Sequence, residues 1–382
     1  MSPVLNPSPF GKARTLVVKL GSAVLTDAAG NLDHRVIRDV VDSVARLIKH
    51  GRHVILVSSG AVAAGRGALG LTSGKLSISE KQAMAAVGQT RLMQIYADVF
   101  ARHDIVVGQM LLSRADIEDR RRYVNARYTL QELLRRQCVP IINENDTVTV
   151  DELRFGDNDG LAALVAVKMQ ADALVLLSDV DGLFDSNPRQ NRDACLMETV
   201  DKLTPGLIDE WTSASDGSAF GTGGMRSKLL AARVAVTQGV CVAIANGKVT
   251  GQLDRMLSGD FRGTYFPTNS RRDTGYRQWL LSKRNTGGRR VVVDDGARKA
   301  LIEKKKSLLP AGVRELQGRF EAGDVVEIVD TTGVVIGRGV VNFSSTELGM
   351  IIGHKSSDIA RILGSKTYDE AIHRDHLVLD ER

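Results

Sequence analysis

Through the first two-thirds of the chain, short apolar runs alternate with longer stretches whose apolar positions recur at helical spacing. Leu16–Leu20 reads as a buried strand, interrupted only by Lys19. Val36, Ile37, Val40, Val41, Val44, Leu47 and Ile48 then repeat every three to four residues, as one face of a helix does. Val54–Val57 is a strand ending at Ser58-Ser59-Gly60. A long helix follows near Ser79, where Ser79-Glu80-Lys81-Gln82 resembles a capping box, and it runs toward Phe100. Ile105–Leu112, Val139–Ile142, Ala173–Leu177 and Cys241–Ala245 are further strands. Helices are expected at Asn125–Arg136, from Asp159 onward, and to about Gln238. Such alternation predicts an α/β fold, with a mostly parallel sheet sandwiched by helices.

Beyond Phe261 the pattern changes. Asn269–Asp273 and Lys283–Gly288 are rich in Arg, Asn and Gly and read as turn or linker. Val291–Val293, an Ala297–Lys305 helix, Asp324–Val329 and Val334–Val341 around a Thr-Thr-Gly turn follow. Short strands between Gly-containing turns predict a second, smaller β-rich, barrel-like domain of about 90 residues. The expected division is a tail at 1–12, a catalytic domain at 13–265, a linker at 266–288 and the small domain at 289–377.

A chain of 382 residues is long for one domain, which agrees with two. Its 43% hydrophobic and 25% charged residues are those of a globular protein, and no apolar stretch nears the roughly 18–20 residues that span a membrane. The first dozen residues lack a charged start followed by an apolar core and do not read as a secretory signal. Cys138, Cys195 and Cys241 are scattered, form no CxxC pair and are expected to be reduced core residues of a cytoplasmic protein. The net charge of +6 raises the question of nucleic acid. From Thr286 to Arg382, however, 15 Lys+Arg meet 15 Asp+Glu, so the surplus, 36 against 30, lies wholly before the small domain. That distribution suits a small phosphorylated ligand at least as well as a polyanion.

Polar residues gather where strands end: Lys19, Ser59, Asn143-Glu144-Asn145-Asp146 and Asp179. In open α/β sheets that edge binds ligands. Gly221-Thr222-Gly223-Gly224-Met225-Arg226-Ser227-Lys228 adds three glycines in four positions, then a lysine and an apolar helix. Bare backbone N–H groups, a helix start and a mobile ammonium suit a polyphosphate, though a glycine-rich run also serves as a flexible turn. A lysine ending a buried strand, as in Val17-Val18-Lys19-Leu20-Gly21-Ser22, requires an anion, a snorkelling path to solvent or a structural carboxylate. No Walker A sequence occurs.

On the acidic side, Asn143–Asp146 lies near Phe155-Gly156-Asp157-Asn158-Asp159. Asp157 or Asn158 also suits a helix N-cap. Carboxylates and amide oxygens bind an ammonium, and amide N–H₂ groups bind a carboxylate. Such groups opposite lysines suit a zwitterionic amino acid being phosphorylated. Gly65-Arg66-Gly67-Ala68-Leu69-Gly70 matches a dinucleotide fingerprint, but the preceding strand ends at about Ser58 and the strand–turn–helix context is missing. Arg120-Arg121-Arg122 reads as a solvated helix start and Lys304-Lys305-Lys306 as an exposed helix end. The seven histidines show no ligand spacing.

Together these residues resemble the glutamate 5-kinases of the amino-acid kinase family. The matching pieces are VVKLGSAVLT from Val17, VSSGAVAAGR from Val57, AAVGQTRL from Ala85, GQMLLSRADIEDR from Gly108, PIINENDTV from Pro140, FGDND from Phe155, LLSDVDGLF from Leu176 and GTGGMRSK from Gly221. The tail, through Leu308-Leu309-Pro310-Ala311-Gly312 and Gly323-Asp324, is similar to a PUA domain. The resemblance implies ATP contacts at Lys19, Gly21, Ser178, Asp179, and Gly221, Thr222, Gly223, Gly224, Met225, Arg226, Ser227 and Lys228. It implies amino-acid contacts at Ser59, Gly60, Asn143, Asp146, Asp157, Asn158 and Asp159. Asn187 and Ser227 stand where the family often has Asp and Thr; both retain hydrogen-bonding capacity.

The implied reaction is phosphorylation of the L-glutamate γ-carboxylate by ATP, with Mg²⁺ carried on the nucleotide rather than by a protein metal site. Lys19 and Lys228 are expected to stabilise charge and Asp179 to orient them. The resemblance also implies entry into proline synthesis, feedback inhibition by proline and assembly into a homo-oligomer, a dimer or tetramer. Two alternatives remain open at this stage: a kinase for another small amino or acylamino acid, and an RNA-binding protein acting through the tail.

Overall fold

The computed structural model describes residues 10–71, 76–148, 158–188, 191–213, 224–268, 287–364 and 368–380. The chain divides into two compact units, Met1–Asp119 with Asn125–Arg272, and Arg120–Val124 with Asp273–Arg382. The expected linker residues 269–286 and the glycines at 221 and 223 lie outside the described residues.

In the first unit the elements run β1 (Thr15–Leu20), α1 (Ser22–Leu25), α2 (His34–Lys49), β2 (His53–Ser58), α3 (Ala61–Ala68), α4 (Ile78–Ala101) and β3 (Val107–Leu112). They continue with α5 (Arg114–Glu118), α6 (Arg120–Arg135, of which Arg120–Val124 are grouped with the second unit), β4 (Val139–Glu144), α7 (Asn158–Lys168), β5 (Ala173–Ser178), α8 (Pro205–Ser213), α9 (Met225–Thr237), β6 (Cys241–Asn246), α10 (Gln252–Ser258) and β7 (Gly263–Phe266). The sheet order is β3-β4-β2-β1-β5-β6-β7, parallel except for β7, which pairs antiparallel with β6. The chain fills one side of β1 first and then crosses to β5 on the other, so β1 and β5 flank the switch point where such sheets bind ligands.

Side-chain alternation along β1 settles what faces what. Leu16, Val18 and Leu20 join one apolar cluster with residues of α2, α4 and α10. Val17 joins the other, with Ile55, Val57, Leu174, Leu176 and residues of α7 and α9. Lys19 shares the parity of Val17, and its register partners Val57 and Leu176 belong to that second face. Its amine is thereby directed toward α7 and α9.

Two glycines set the spacing of α3 and α4. A Cβ on Gly65 would collide with the Met84 carbonyl, and one on Gly88 with that of Ala61. The pair lets two helix backbones touch, which is what the GRGALG stretch does here: Gly65 lies within α3 and not in a phosphate turn. The capping box of α4 is displaced from the expected position. Ser77 is the N-cap and Glu80 the third helical residue, each side chain serving the other's backbone. Ser79 is instead within the first turn.

The second unit is built from β8 (Arg290–Val293), α11 (Asp295–Ile302), β9 (Val313–Gln317), β10 (Val325–Val329), β11 (Val335–Val340), α12 (Ser345–Ile351), α13 (Ile359–Leu363) and β12 (Leu377–Leu379). Its five strands order as β12-β11-β10-β8-β9 around a core that includes Val291, Leu308, Val326, Ile328, Phe343 and Ile372. Lys304–Lys306 are exposed just beyond α11, as expected. The cysteines differ from expectation: all three are free thiols, but Cys241 alone is buried, while Cys138 is half-buried and Cys195 exposed.

Candidate active site

Lys19, buried at 3% exposure, points its Nζ at Asp159 Oδ1, 2.5 Å away. Lys228, buried at 5% in the first turn of α9, reaches the other oxygen, Oδ2, at 3.2 Å. Asp159 is fully buried as the second residue of α7. A strand, a helix start and a second helix start therefore deliver two ammoniums to one carboxylate, and over these three side chains the formal charge is +1. Burying such a set is costly unless the charges are held in close contact, and removing one member exposes the others to the penalty. Ser227 Oγ lies 3.0 Å from Asp159 Oδ2 and 2.8 Å from the Gly224 carbonyl.

The residue before Asp159 faces a different set of partners. Asn158 Nδ2 donates to Ser59 Oγ and to Asn143 Oδ1, each at 2.9 Å, and to the Ser58 carbonyl at 3.4 Å. Asn143 Oδ1 also accepts from the Glu144 N–H at 2.9 Å, and its Nδ2 donates to Gln89 Oε1 at 2.8 Å. Asn143 and Gln89 are buried, and among the described residues Asn158 Oδ1 and Gln89 Nε2 have no hydrogen-bond partner. The start of α7 thus joins a cationic cradle, through Asp159, to an amide nook, through Asn158.

Gly60 leaves β2 at φ +99° and caps α3, a conformation that L side chains rarely adopt. Gly21 donates its N–H to the Leu177 carbonyl at 3.2 Å, and a Cβ there would sit 3.7 Å from Lys19 Nζ. Ser178 ends β5, buried, its hydroxyl 3.2 Å from Asp179 Oδ1. Asp146 is half-buried in the turn after β4. Gly224 caps α9 without a side chain, and no atom of the described residues stands within 4 Å of where its Cβ would be; a helix N-terminus of this kind suits an anion. Met225 packs against the second apolar cluster, while Arg226 is exposed and paired with Asp209 of α8. Asp157, Gly221, Thr222 and Gly223 fall outside the described residues.

Two assignments change. The carboxylate between the two lysine amines is that of Asp159, whereas Asp179, expected to orient them, has its Oδ1 3.2 Å from the Ser178 hydroxyl. Asp179 is exposed just past the end of β5. Asp159, expected beside the amino acid, has each carboxylate oxygen against a lysine amine. Sequence reasoning passed over Gln89 and the buried Ser58–Tyr96 pair, whose hydroxyls lie 2.9 Å apart. Burial pushes the Tyr96 phenol up to about 12, against the lowering effect of Ser58, so it stays protonated under Ser58 at neutral pH. The AAVGQTRL stretch held the signal for Gln89: it follows a glycine that brings α4 close to its neighbour.

The profile of the Amino acid kinase family matches residues 14–246, spanning every residue of this site, and that of the PUA domain matches residues 289–363. The chain belongs to the amino acid kinase family. Among curated members, the glutamate 5-kinase of Caldanaerobacter subterraneus subsp. tengcongensis is 44% identical over 367 residues, 96% of this chain and 98% of the relative. That of Moorella thermoacetica is 45% identical over 97% of each chain, and that of Myxococcus xanthus 46% identical over 96% of each. A solved structure of isopentenyl phosphate kinase aligns with a TM-score of 0.46 at 18% identity, covering 66% of this chain and 99% of that one. Among the described residues of this family member, no helix is long and apolar enough to cross a membrane.

Proposed function

We propose that the chain transfers the γ-phosphoryl group of ATP to the side-chain carboxylate of L-glutamate, giving L-glutamate 5-phosphate, the first step of proline biosynthesis. The observation that carries this reading is the junction at Asn158–Asp159, where a two-lysine cradle and an amide nook meet at one helix start. Near-full-length identity to glutamate 5-kinases supports the choice of amino acid.

A glutamate carboxylate, with a pKa near ~4.3, is already ionised at neutral pH and needs no general base. The chemistry then requires alignment of nucleophile and phosphorus, and compensation of charge as two anions approach. Lys19 and Lys228 are the residues to supply that compensation, held by Asp159 so that no reorganisation is required during transfer. The N-terminus of α9 adds oriented N–H groups for the phosphates. Asn158, Asn143 and Ser59 bind the amino acid, Asn158 Oδ1 accepting from its ammonium. Mg²⁺ is proposed to arrive on the nucleotide and to neutralise its phosphates. Asp159, with both oxygens against lysines, is a poor metal ligand, and among the described residues no group of three or more His, Cys, Asp or Glu could hold an ion.

The same proposal includes a catalytic domain at 13–265, a PUA domain at 289–377, a cytoplasmic location, inhibition by proline and assembly into a dimer or tetramer; family likeness supports these. The deciding experiment mixes the protein with Mg-ATP, L-glutamate and hydroxylamine. Glutamyl hydroxamate is the expected product, and its absence while N-acetylglutamate or aspartate reacts would reassign the substrate.

A further inference from the structure

The amide chain at the site continues inward past the residues expected to meet substrate and ends at Gln89 on α4. Its polarity is dictated by backbone groups at both ends. The Glu144 N–H is only a donor, so the Asn143 atom that meets it is Oδ1, and Nδ2 must face α4. Gln89 supplies the acceptor there, Oε1 at 2.8 Å. At the other end, the Ser58 carbonyl and Asn143 Oδ1 are both acceptors, so Asn158 shows them its Nδ2. That leaves Asn158 Oδ1 as a buried acceptor without a partner among the described residues, an arrangement that an incoming ammonium completes.

We infer that Gln89 is a positioning residue for the amino-acid substrate, acting through Asn143 to hold Asn158 with its Oδ1 turned to the substrate ammonium. The inference rests on the glutamate-kinase reading and assigns that site a support the reading does not name. Without an acceptor at position 89, the Asn143 amide, itself 2% exposed, has a buried donor unmet, and any rotation that meets it withdraws Oδ1 from both the Glu144 N–H and Asn158. Asn158 Nδ2 then loses one of the oxygens that hold it, keeping those of Ser58 and Ser59. Gln89 is buried and sits beside Gly88, whose missing Cβ allows α4 its close approach to α3. The lysine cradle lies on the other branch of the α7 start, through Asp159, so nucleotide use should be spared.

Gln89→Met keeps length and bulk and removes the acceptor. The expected result is a KM for L-glutamate raised about tenfold, the loss set by one buried hydrogen bond, with kcat and the KM for ATP within about twofold. Gln89→Glu, which retains an oxygen for Asn143, should recover most of the affinity. In an Asn158→Ala background, Gln89→Met should add less than about twofold, because its effect passes through Asn158. An unchanged glutamate KM, a matching rise for ATP, or full additivity with Asn158→Ala overturns the inference. Gln89→Leu is measured the same way if the methionine variant is not recovered folded. Calorimetric titration with L-glutamate separates the two levels of the argument. Wild-type protein that binds glutamate but forms no hydroxamate defeats the kinase reading alone; glutamate affinity indifferent to Gln89→Met defeats the positioning role alone.

Discussion

Both sheets carry a charged residue in a buried central strand, and they compensate it in different ways. In the second unit Glu327 of β10 stands in register opposite Arg290 of β8 and Arg338 of β11. Arg290 Nε lies 3.0 Å from Glu327 Oε2, Arg338 Nη2 3.5 Å from Oε1, and Arg338 Nη1 3.4 Å from Asp380 Oδ1. Two arginines and two carboxylates run across adjacent strands, and their formal charges cancel. In the first unit the in-register neighbours of Lys19 are Val57 and Leu176, which offer it no charge. Its partner comes from a helix start beyond the strand ends, and a second lysine converges on the same carboxylate. A charge balanced along the ladder ties strands together; one balanced from outside the sheet makes a polar site at the sheet edge.

The comparison is broken most severely at Asp159. Asp159→Asn should reduce hydroxamate formation by three orders of magnitude or more and cost about 3 kcal/mol in urea unfolding, because both buried amines lose their shared anion. A variant with wild-type turnover removes the cradle from the mechanism. Lys228→Met comes next, with kcat falling at least about 100-fold, on the order of 3 kcal/mol in the barrier, measured at saturating glutamate and ATP. Near-full turnover in that protein contradicts the charge-stabilising role. Glu327→Gln should show the opposite profile: about 2 kcal/mol of stability lost, with kcat and both KM values within twofold. Kinetic damage there in a fully folded protein would erase the distinction between the two charge sets.

The smallest effect is expected at Asp254 of α10, which accepts from Ser43 Oγ at 2.7 Å and pairs with Arg46 Nη2 at 2.6 Å on the surface of the first unit. Burial alone would push its carboxyl up, but hydrogen bonds from Arg46 and Ser43 and the Arg46 charge outweigh this and hold it below the ordinary range. A carboxyl lowered in the folded state binds protons less readily than in the unfolded chain. Its contribution is therefore complete above the ordinary carboxylate pKa and disappears as pH falls through the lowered value. With both side chains more than a third exposed, Asp254→Asn should cost only about 0.5 kcal/mol near neutral pH. The difference from wild type should shrink in acid, and a difference that grows there would refute the assignment.

Periodicity alone located the principal strands and helices to within a few residues, since buried parallel strands are short apolar runs and their covering helices carry one apolar face. Less was readable where tertiary contact overrides local pattern. The antiparallel edge strand Gly263–Phe266 is only four residues long, and α3 is rich in glycine, a poor helix former that is nonetheless required where α3 meets α4. At the site, residue types and positions beside element ends singled out Lys19, Ser59, Asn143, Asn158 and Lys228, which the fold brings together at the start of α7. That Asp159 rather than Asp179 lies between the lysine amines was not readable, because both are aspartates beside a secondary-structure end.

The sequence by itself determined the two-unit plan, the α/β alternation of the first unit and the kinds of chemistry available at its strand ends. These follow from spacing, from turn residues and from the cost of placing a lysine in an apolar strand. Tertiary structure decided the partnerships. Strand parity turned Lys19 toward α7, paired helix glycines brought Gln89 within reach of Asn143, and the start of α7 divided Asn158 from Asp159 between amide and ammonium partners. Contacts of that kind join residues as far apart in the chain as Lys19 and Asp159, and their geometry depends on how sheet and helices pack, which no local pattern encodes.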